Sequence, residues 1–163
     1  MNYLSMTKAE VANGQGVRIA LWVSGCEHHC KNCQNPESWN CNAGKPFNDE
    51  DLHKLLNELS LPYYDGLTLT GGDPLHPSNI DSVEYVVKEV KKALPDKTIW
   101  CYTGYMFEEI KDLNIINYID ILIDGEYVDE LRDITLAFKG SPNQRIIDVK
   151  ETLKQGEIIT IQN

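Results

Sequence analysis

Hydrophobic residues fall along this chain in two alternating rhythms. Arg18 to Ser24, RIALWVS, is a short apolar run that stops at Gly25, the pattern of a buried strand. Asn48 to Leu59 places Leu52, Leu55, Leu56 and Leu59 on one helical face, with Asn48 positioned as the N-cap. Gly66 to Thr70, GLTLT, reads as a second strand. Ser78 to Leu94 carries Ile80, Val83, Val86, Val87, Val90 and Leu94 at a period near 3.6, and Pro95 ends that helix. KTIWCY (97–102) predicts a third strand, YMFEEIKDL (105–113) a short helix, and IDILID (119–124) a fourth strand running into Gly125.

Strands alternating with helices predict βα units around a mostly parallel sheet, an α/β fold in one domain spanning 1–163. In such sheets chemistry collects at the carboxyl ends of the strands. Here a polar cysteine loop follows the first predicted strand, GGDP (71–74) the second, Thr103-Gly104 the third and Asp124-Gly125 the fourth. All four loops are expected along one edge. At 163 residues the chain is short for a complete eight-fold barrel, so an incomplete (βα) barrel with an open side is the expected architecture.

The formal charge of -10 argues against nucleic acid and anionic membrane surfaces as partners, because phosphates require a basic footprint. No apolar run is long enough for a membrane span, and the N-terminal stretch lacks the basic lead and apolar core of a secretory signal. The expectation is a cytoplasmic protein that acts on small molecules and proteins.

The five cysteines are Cys26, Cys30, Cys33, Cys41 and Cys101. An odd number, with no export signal, reads as metal or redox chemistry rather than a disulfide framework. Cys26-x3-Cys30-x2-Cys33 allows three thiolates to converge in a tight loop. The same spacing would put three cysteines on one helical face as core packing, but Glu27, His28, His29, Lys31 and Asn32 are all polar. Structural zinc would need a fourth ligand from His28, His29 or the distant Cys41. Otherwise the two histidines read as solvated loop or as hydrogen-bonding support for the ligands. An iron–sulfur cluster held by three thiolates would leave one iron open for a substrate or cofactor.

With its flanking segments, the triplet resembles the radical S-adenosylmethionine superfamily. More closely, the chain resembles the anaerobic ribonucleoside-triphosphate reductase activating proteins. The shared segments are NGQG (13–16), VSGCEHHCKNCQNPESW (23–39), LTLTGGDPLHP (67–77), IWCYTGY (99–105), IDGEY (123–127) and KGSPNQR (139–145). The resemblance implies that Cys26, Cys30 and Cys33 bind a 4Fe-4S cluster whose fourth iron is chelated by S-adenosyl-L-methionine. Reductive cleavage of that cofactor then yields methionine and a 5′-deoxyadenosyl radical. By resemblance, this radical removes a hydrogen from a glycine in the large catalytic subunit of the reductase. An external electron donor such as flavodoxin or ferredoxin is implied.

The resemblance also assigns cofactor contacts to Asn32, Cys33 and Gln34 and to Gly71, Gly72 and Asp73. Asp73 is expected to accept from the cofactor's ammonium. Gln34 stands where the family usually has an aromatic residue, and Gln15 where it usually has proline. Arg18 is expected to pair a carboxylate, of the cofactor or of the protein. Thr103-Gly104 and Asp124-Gly125 are read as cofactor shell or turn punctuation. Ser141, Asn143 and Arg145 are read as a cap over the adenosyl group, a partner contact or a solvated turn. Cys101 is expected to be a small buried residue, the three tryptophans packing residues, and Trp39 a shield for the cysteine loop. An activase for another glycyl-radical enzyme, such as pyruvate formate-lyase, and a non-enzymatic zinc-binding module remain the competing readings.

Overall fold

The protein is described here from a computed structural model covering residues 1–162. Its strands are β1 (Asn2–Glu10), β2 (Arg18–Val23), β3 (Lys45–Pro46), β4 (Gly66–Gly71), β5 (Thr98–Tyr102), β6 (Ile121–Asp124) and β7 (Arg145–Asp148). The helices are α1 (Asp49–Leu59), α2 (Ile80–Ala93), α3 (Phe107–Ile110) and α4 (Val149–Gln155). One sheet in the order β3-β1-β2-β4-β5-β6-β7 holds every strand. The pairs β2–β4, β4–β5 and β5–β6 are parallel, while β1 and β7 run against their neighbours. The sheet is thus mostly parallel, and the α/β class expected from the alternation holds.

All four predicted strands and the two long helices form. Asn48 caps α1 as expected: its side chain accepts from Asp51 N at 3.0 Å, and Asp51 accepts from Asn48 N at 3.2 Å. This reciprocal pair satisfies two otherwise orphaned donors. α3 is shorter than expected and passes into a 3-10 turn at Asn114–Tyr118. β1, β3, β7 and α4 lie outside the predicted set. β1 reads NYLSMTKAE and buries little beyond Tyr3, so it lacks the apolar run of a central strand. It forms because its backbone pairs antiparallel with β2.

Alternation along the strands divides the sheet into two unlike faces. Ile19, Leu21, Leu67, Leu69, Ile99, Cys101 and Leu122 point into the main core. Leu52, Leu55 and Leu59 of α1 and Val83, Val86, Val87 and Val90 of α2 pack there, joined by Phe107 of α3 and Val149 of α4. Cys101 is fully buried, as its strand position predicted, and burial drives its thiol pKa well up. The other face carries Arg18, Ala20, Trp22, Thr68, Thr70, Trp100, Tyr102 and Ile123, with only a small apolar cluster around Trp100, Ile123 and Ile146. Loops rather than helices cover that face, which leaves it available as the floor of a cleft.

Arg18 holds the end of this face farthest from the cysteine loop. It is 1% exposed and meets neutral acceptors, correcting the expectation of a carboxylate partner. Its guanidinium donates to Thr68 Oγ1 (2.8 Å), Gln15 O (3.1 Å), Thr98 Oγ1 (3.0 Å), Leu67 O (2.9 Å) and Thr98 O (2.9 Å). It also lies over the Trp100 ring, 5.3 Å from its centroid. Burial lowers its pKa to about 10, so it stays charged at neutral pH. The Asn13–Gly16 loop therefore closes the bottom of this face through Gln15 O on Arg18 and Asn13 O on Thr68.

Candidate metal centre and cofactor cleft

The loop after β2 leaves the sheet at Gly25 and returns through a 3-10 turn at Pro36–Trp39. Two backbone bonds close it: Gly25 N to Ser38 O at 2.6 Å and Cys26 N to Trp39 O at 3.2 Å. Two residues inside it, His29 (φ 49°) and Asn32 (φ 54°), take the left-handed conformation that lets so short a loop reverse direction. Cys26, Cys30 and Cys33 are all partly buried and face one cleft of about 470 Å³.

That cleft gathers the ends of all four parallel strands. Thr70, Gly71, Gly72 and Asp73 line it after β4, Thr103 and Gly104 after β5, and Gly125 and Glu126 after β6. Trp22, Thr70 and Tyr102 form its floor on the helix-free face of the sheet. The predicted convergence on one edge is therefore present. The GGD turn is stitched to the cysteine loop by Gly72 N to Val23 O and Asp73 N to Gly25 O, both 2.7 Å. A Cβ on Gly72 would sit 2.5 Å from Gly25 O, so the two loops approach this closely only without a side chain.

Asp73 is the hub of the cleft wall. Its carboxylate accepts from Leu75 N (2.8 Å), Thr103 Oγ1 (2.9 and 3.0 Å) and Gly104 N (3.0 Å), and it meets His28 Nε2 at 2.7 Å. Both oxygens are thus engaged by the protein itself, so an incoming ammonium would share or displace these donors. Of the two readings of His28, solvated loop or hydrogen-bonding support, the structure bears out the second. The His28 side chain is 8% exposed rather than solvated, and its other nitrogen, Nδ1, lies 2.9 Å from Glu126 Oε1. The hydrogen bond to Asp73, then that to Glu126, outweigh burial and hold the imidazole pKa up at about 9. The ring stacks edge-on against Tyr105 at 4.6 Å, and a Cβ on Gly104 would come within 2.5 Å of it. One histidine thus joins the cysteine loop to the loops after β4, β5 and β6. Its only sequence signal was an aromatic nitrogen ligand type inside the triplet.

Burial pushes the Cys26 thiol up to about 11 and raises that of Cys30 as well. Metal binding would therefore displace protons from these thiols. No group of three or more His, Cys, Asp or Glu side chains among the described residues converges on a single ion. A cluster suits the loop better, since each thiolate would meet a different iron. Asn35 Nδ2 adds to this fit: it is buried on the cleft wall with no hydrogen-bond acceptor, one position from Gln34. Nearby, Asn35 N lies 3.4 Å from Cys33 Sγ. The other buried atom without a hydrogen bond, Asp120 Oδ1, has Lys150 Nζ at 2.5 Å and so is not orphaned. The donor set and the orphaned amide both fit an iron–sulfur cluster in this cleft.

Other predicted residues lie elsewhere. Asn32 turns its side chain outward to Asp129 Oδ2 at 2.7 Å, while Gln34 lines the cleft. Cys41 is exposed beside Ser78 Oγ (3.4 Å), near Gly25 but outside the lining of the cleft, and Trp39 stacks on His29 at 4.7 Å. Asp124 is fully buried and receives Phe107 N (2.8 Å) and the Arg145 guanidinium, which also pairs Glu108 at 2.8 Å. It braces β6 against α3 and β7 and does not face the cleft. Ser141 is buried and accepts from Val128 N at 3.2 Å, and Asn143 donates to Glu126 O at 2.8 Å. The GSPNQR segment thus braces the Gly125–Val128 turn, with Gly140 and Gln144 reaching the cleft.

This brace makes one prediction. Arg145 holds the Glu108 carboxyl down at about 2. A carboxyl lowered on folding adds stability above its ordinary pKa of about 4.5 and loses it as pH falls toward 2. Arg145→Met should return Glu108 to the ordinary carboxylate range, read by carboxyl NMR titration. An unmoved Glu108 titration in that variant would rule the pairing out.

The sequence profile of a 4Fe-4S single cluster domain matches residues 12–147. The chain is 43% identical over 146 residues to the anaerobic ribonucleoside-triphosphate reductase-activating protein of Enterobacteria phage T4, covering 90% of this chain and 93% of that one. It is 44% identical over 150 residues to the Haemophilus influenzae protein of the same name, covering 90% and 97%. The Escherichia coli K12 protein of that name is 36% identical over 148 residues, covering 88% and 96%. On this similarity, which runs through nearly the whole length, the chain belongs to the family of anaerobic ribonucleoside-triphosphate reductase-activating proteins.

Proposed function

We propose that this chain is a radical S-adenosylmethionine activase that generates the glycyl radical of an anaerobic ribonucleotide reductase. The observation that carries the reading is the meeting of Cys26, Cys30 and Cys33 with the GGD turn in one cleft at the strand ends. Three thiols account for three irons of a 4Fe-4S cluster and leave one for a chelating cofactor. When bound, the cluster would supply one electron to the cofactor's sulfonium, replenished by an external donor such as flavodoxin or ferredoxin.

The chain's own residues would bind, orient and exclude. Cys26, Cys30 and Cys33 hold the cluster, and Asn35 Nδ2 offers it or the cofactor a hydrogen bond. Gly71 and Gly72 let the cofactor's amino group approach backbone carbonyls, with Asp73 providing negative charge at that wall. The backbone of Cys33 and Gln34 lies beside this space; Asn32 contributes through its main chain, its side chain being turned away. Trp22, Thr70 and Tyr102 make a partly apolar floor that limits water around a reactive radical. A sheet with helices on one face only, and a cleft on the other, is consistent with an incomplete barrel of the radical S-adenosylmethionine type. No helix among the described residues is long and apolar enough to cross a membrane.

The test is anaerobic reconstitution with iron and sulfide, reduction, and mixing with S-adenosylmethionine and candidate glycyl-radical enzymes. A glycyl signal by electron spin resonance with an anaerobic reductase, and none with pyruvate formate-lyase, is the expected result. A colourless protein holding one tightly bound zinc would sink the reading.

A further inference from the structure

After β6 the chain runs from Tyr127 to Gly140 with no strand and only one short 3-10 turn, and much of it lines the cleft. Two ties fasten this strap to the cysteine loop: Lys31 to Glu130 at 2.6 Å and Asn32 to Asp129 at 2.7 Å. Asp133 N donates to Gly140 O at 3.1 Å, closing the strap on itself, and at its far end Phe138 packs edge-on against Trp100 at 5.2 Å. Phe138 does so at φ 62°, a conformation that bulky residues rarely hold. The strap is therefore anchored at both ends.

Its charges are unevenly satisfied. Asp129 receives Asn32 and Tyr127, Glu130 receives Lys31, and Asp133 accepts from Thr135 N (2.9 Å) and Thr135 Oγ1 (2.6 Å). Among the described residues, Arg132 alone of the charged side chains from 129 to 133 has no hydrogen-bond or ion-pair partner. It lies at the cleft in a chain of formal charge -10. Beside it, Ile134 is 83% exposed and Leu131 48% exposed. A free guanidinium next to exposed aliphatic side chains suits a peptide that presents a carboxylate beside an apolar residue. A small cofactor sunk in the cleft would leave so exposed an isoleucine in water.

Resting on the function proposed above, we infer that the 131–139 strap is the docking wall for the reductase segment that carries the target glycine. Arg132 pairs a carboxylate on that segment, and Ile134 with Leu131 covers an apolar neighbour. Docking there sets the segment against the cysteine loop, to which the strap is tied.

The experiment uses the reconstituted full chain with the anaerobic reductase. Glycyl-radical yield is read against reductase concentration, and S-adenosylmethionine cleavage is read without reductase. Arg132→Glu and Ile134→Asp should each raise the half-saturating reductase concentration roughly tenfold or more. Iron content and uncoupled cleavage should stay at wild-type levels, and Arg132→Lys should recover most of the affinity. Unchanged half-saturation in both variants overturns the docking wall. Loss of uncoupled cleavage in either variant also overturns it, because the residue would then serve the cofactor. Absence of a glycyl signal with the wild-type chain is a different failure, one that removes the functional reading and the docking wall together.

Discussion

Cys26→Ala is expected to abolish both cluster assembly and S-adenosylmethionine cleavage. The three thiols of the 26–33 loop face one cleft, and a chain with two of them offers a four-iron cluster half of its usual cysteine ligation. Iron and sulfide content after reconstitution, with the visible absorption of the brown protein, measures the first effect. Chromatography of methionine and 5′-deoxyadenosine measures the second. Cys41→Ala is the control. Cys41 is exposed and makes its contact with Ser78, so its loss should leave cluster and cleavage intact. Retained cleavage in Cys26→Ala, or a lost cluster in Cys41→Ala, would show that the ligand set is wrong. Because burial keeps the Cys26 thiol protonated at neutral pH, assembly should also quicken as pH rises, in line with thiol deprotonation on binding.

The second large effect is on stability. Arg18→Met removes a buried side chain that satisfies Gln15 O, Leu67 O, Thr98 O and the hydroxyls of Thr68 and Thr98. Methionine fills much of the space but supplies no donors, so buried acceptors are stranded, each at a cost of about 1–3 kcal/mol. Native Arg18 carries its own desolvation cost, seen in its lowered pKa, and that part is relieved. We expect a net loss of about 2–4 kcal/mol, large against the 5–15 kcal/mol of a typical domain. Arg18→Lys should not restore it, since one ammonium cannot span acceptors on two strands and a loop. Urea unfolding is the measurement, and an Arg18→Met midpoint equal to wild type would refute the bracing role. Arg18 starts β2, whereas the cysteine loop follows the other end of that strand, so the folded fraction of the variant should keep its cluster.

The sequence was most informative where physics is local. Apolar period and capping residues located β2, α1, β4, α2, β5 and β6, because helical and strand spacing are properties of contiguous residues. Cysteine spacing and the GGD turn likewise stood in the chain itself. β1 escaped because it is held by backbone pairing with β2 rather than by an apolar pattern of its own. Polar side chains were harder still. Arg18, Asp124 and Arg145 were read as candidates for ligand contact, and all three serve the fold. A lone charged residue in sequence carries no mark of whether its partners are carbonyls, a distant acid or a ligand.

His28 shows the same limit from the other side. Its partners Asp73 and Glu126 lie 45 and 98 positions away, and no local spacing links them. The chain by itself determined its α/β class, its strand-end loops, its family and its thiol triplet, since each is written in short-range pattern or in likeness along the whole length. Only the tertiary structure decided which polar groups meet across that edge: His28 between two acids, Asp73 as a saturated hub, Asn35 left without an acceptor and Arg132 without a partner. Hydrogen bonds and ion pairs form between atoms a few ångströms apart, and in a sheet with crossover connections those atoms belong to residues far apart in the chain.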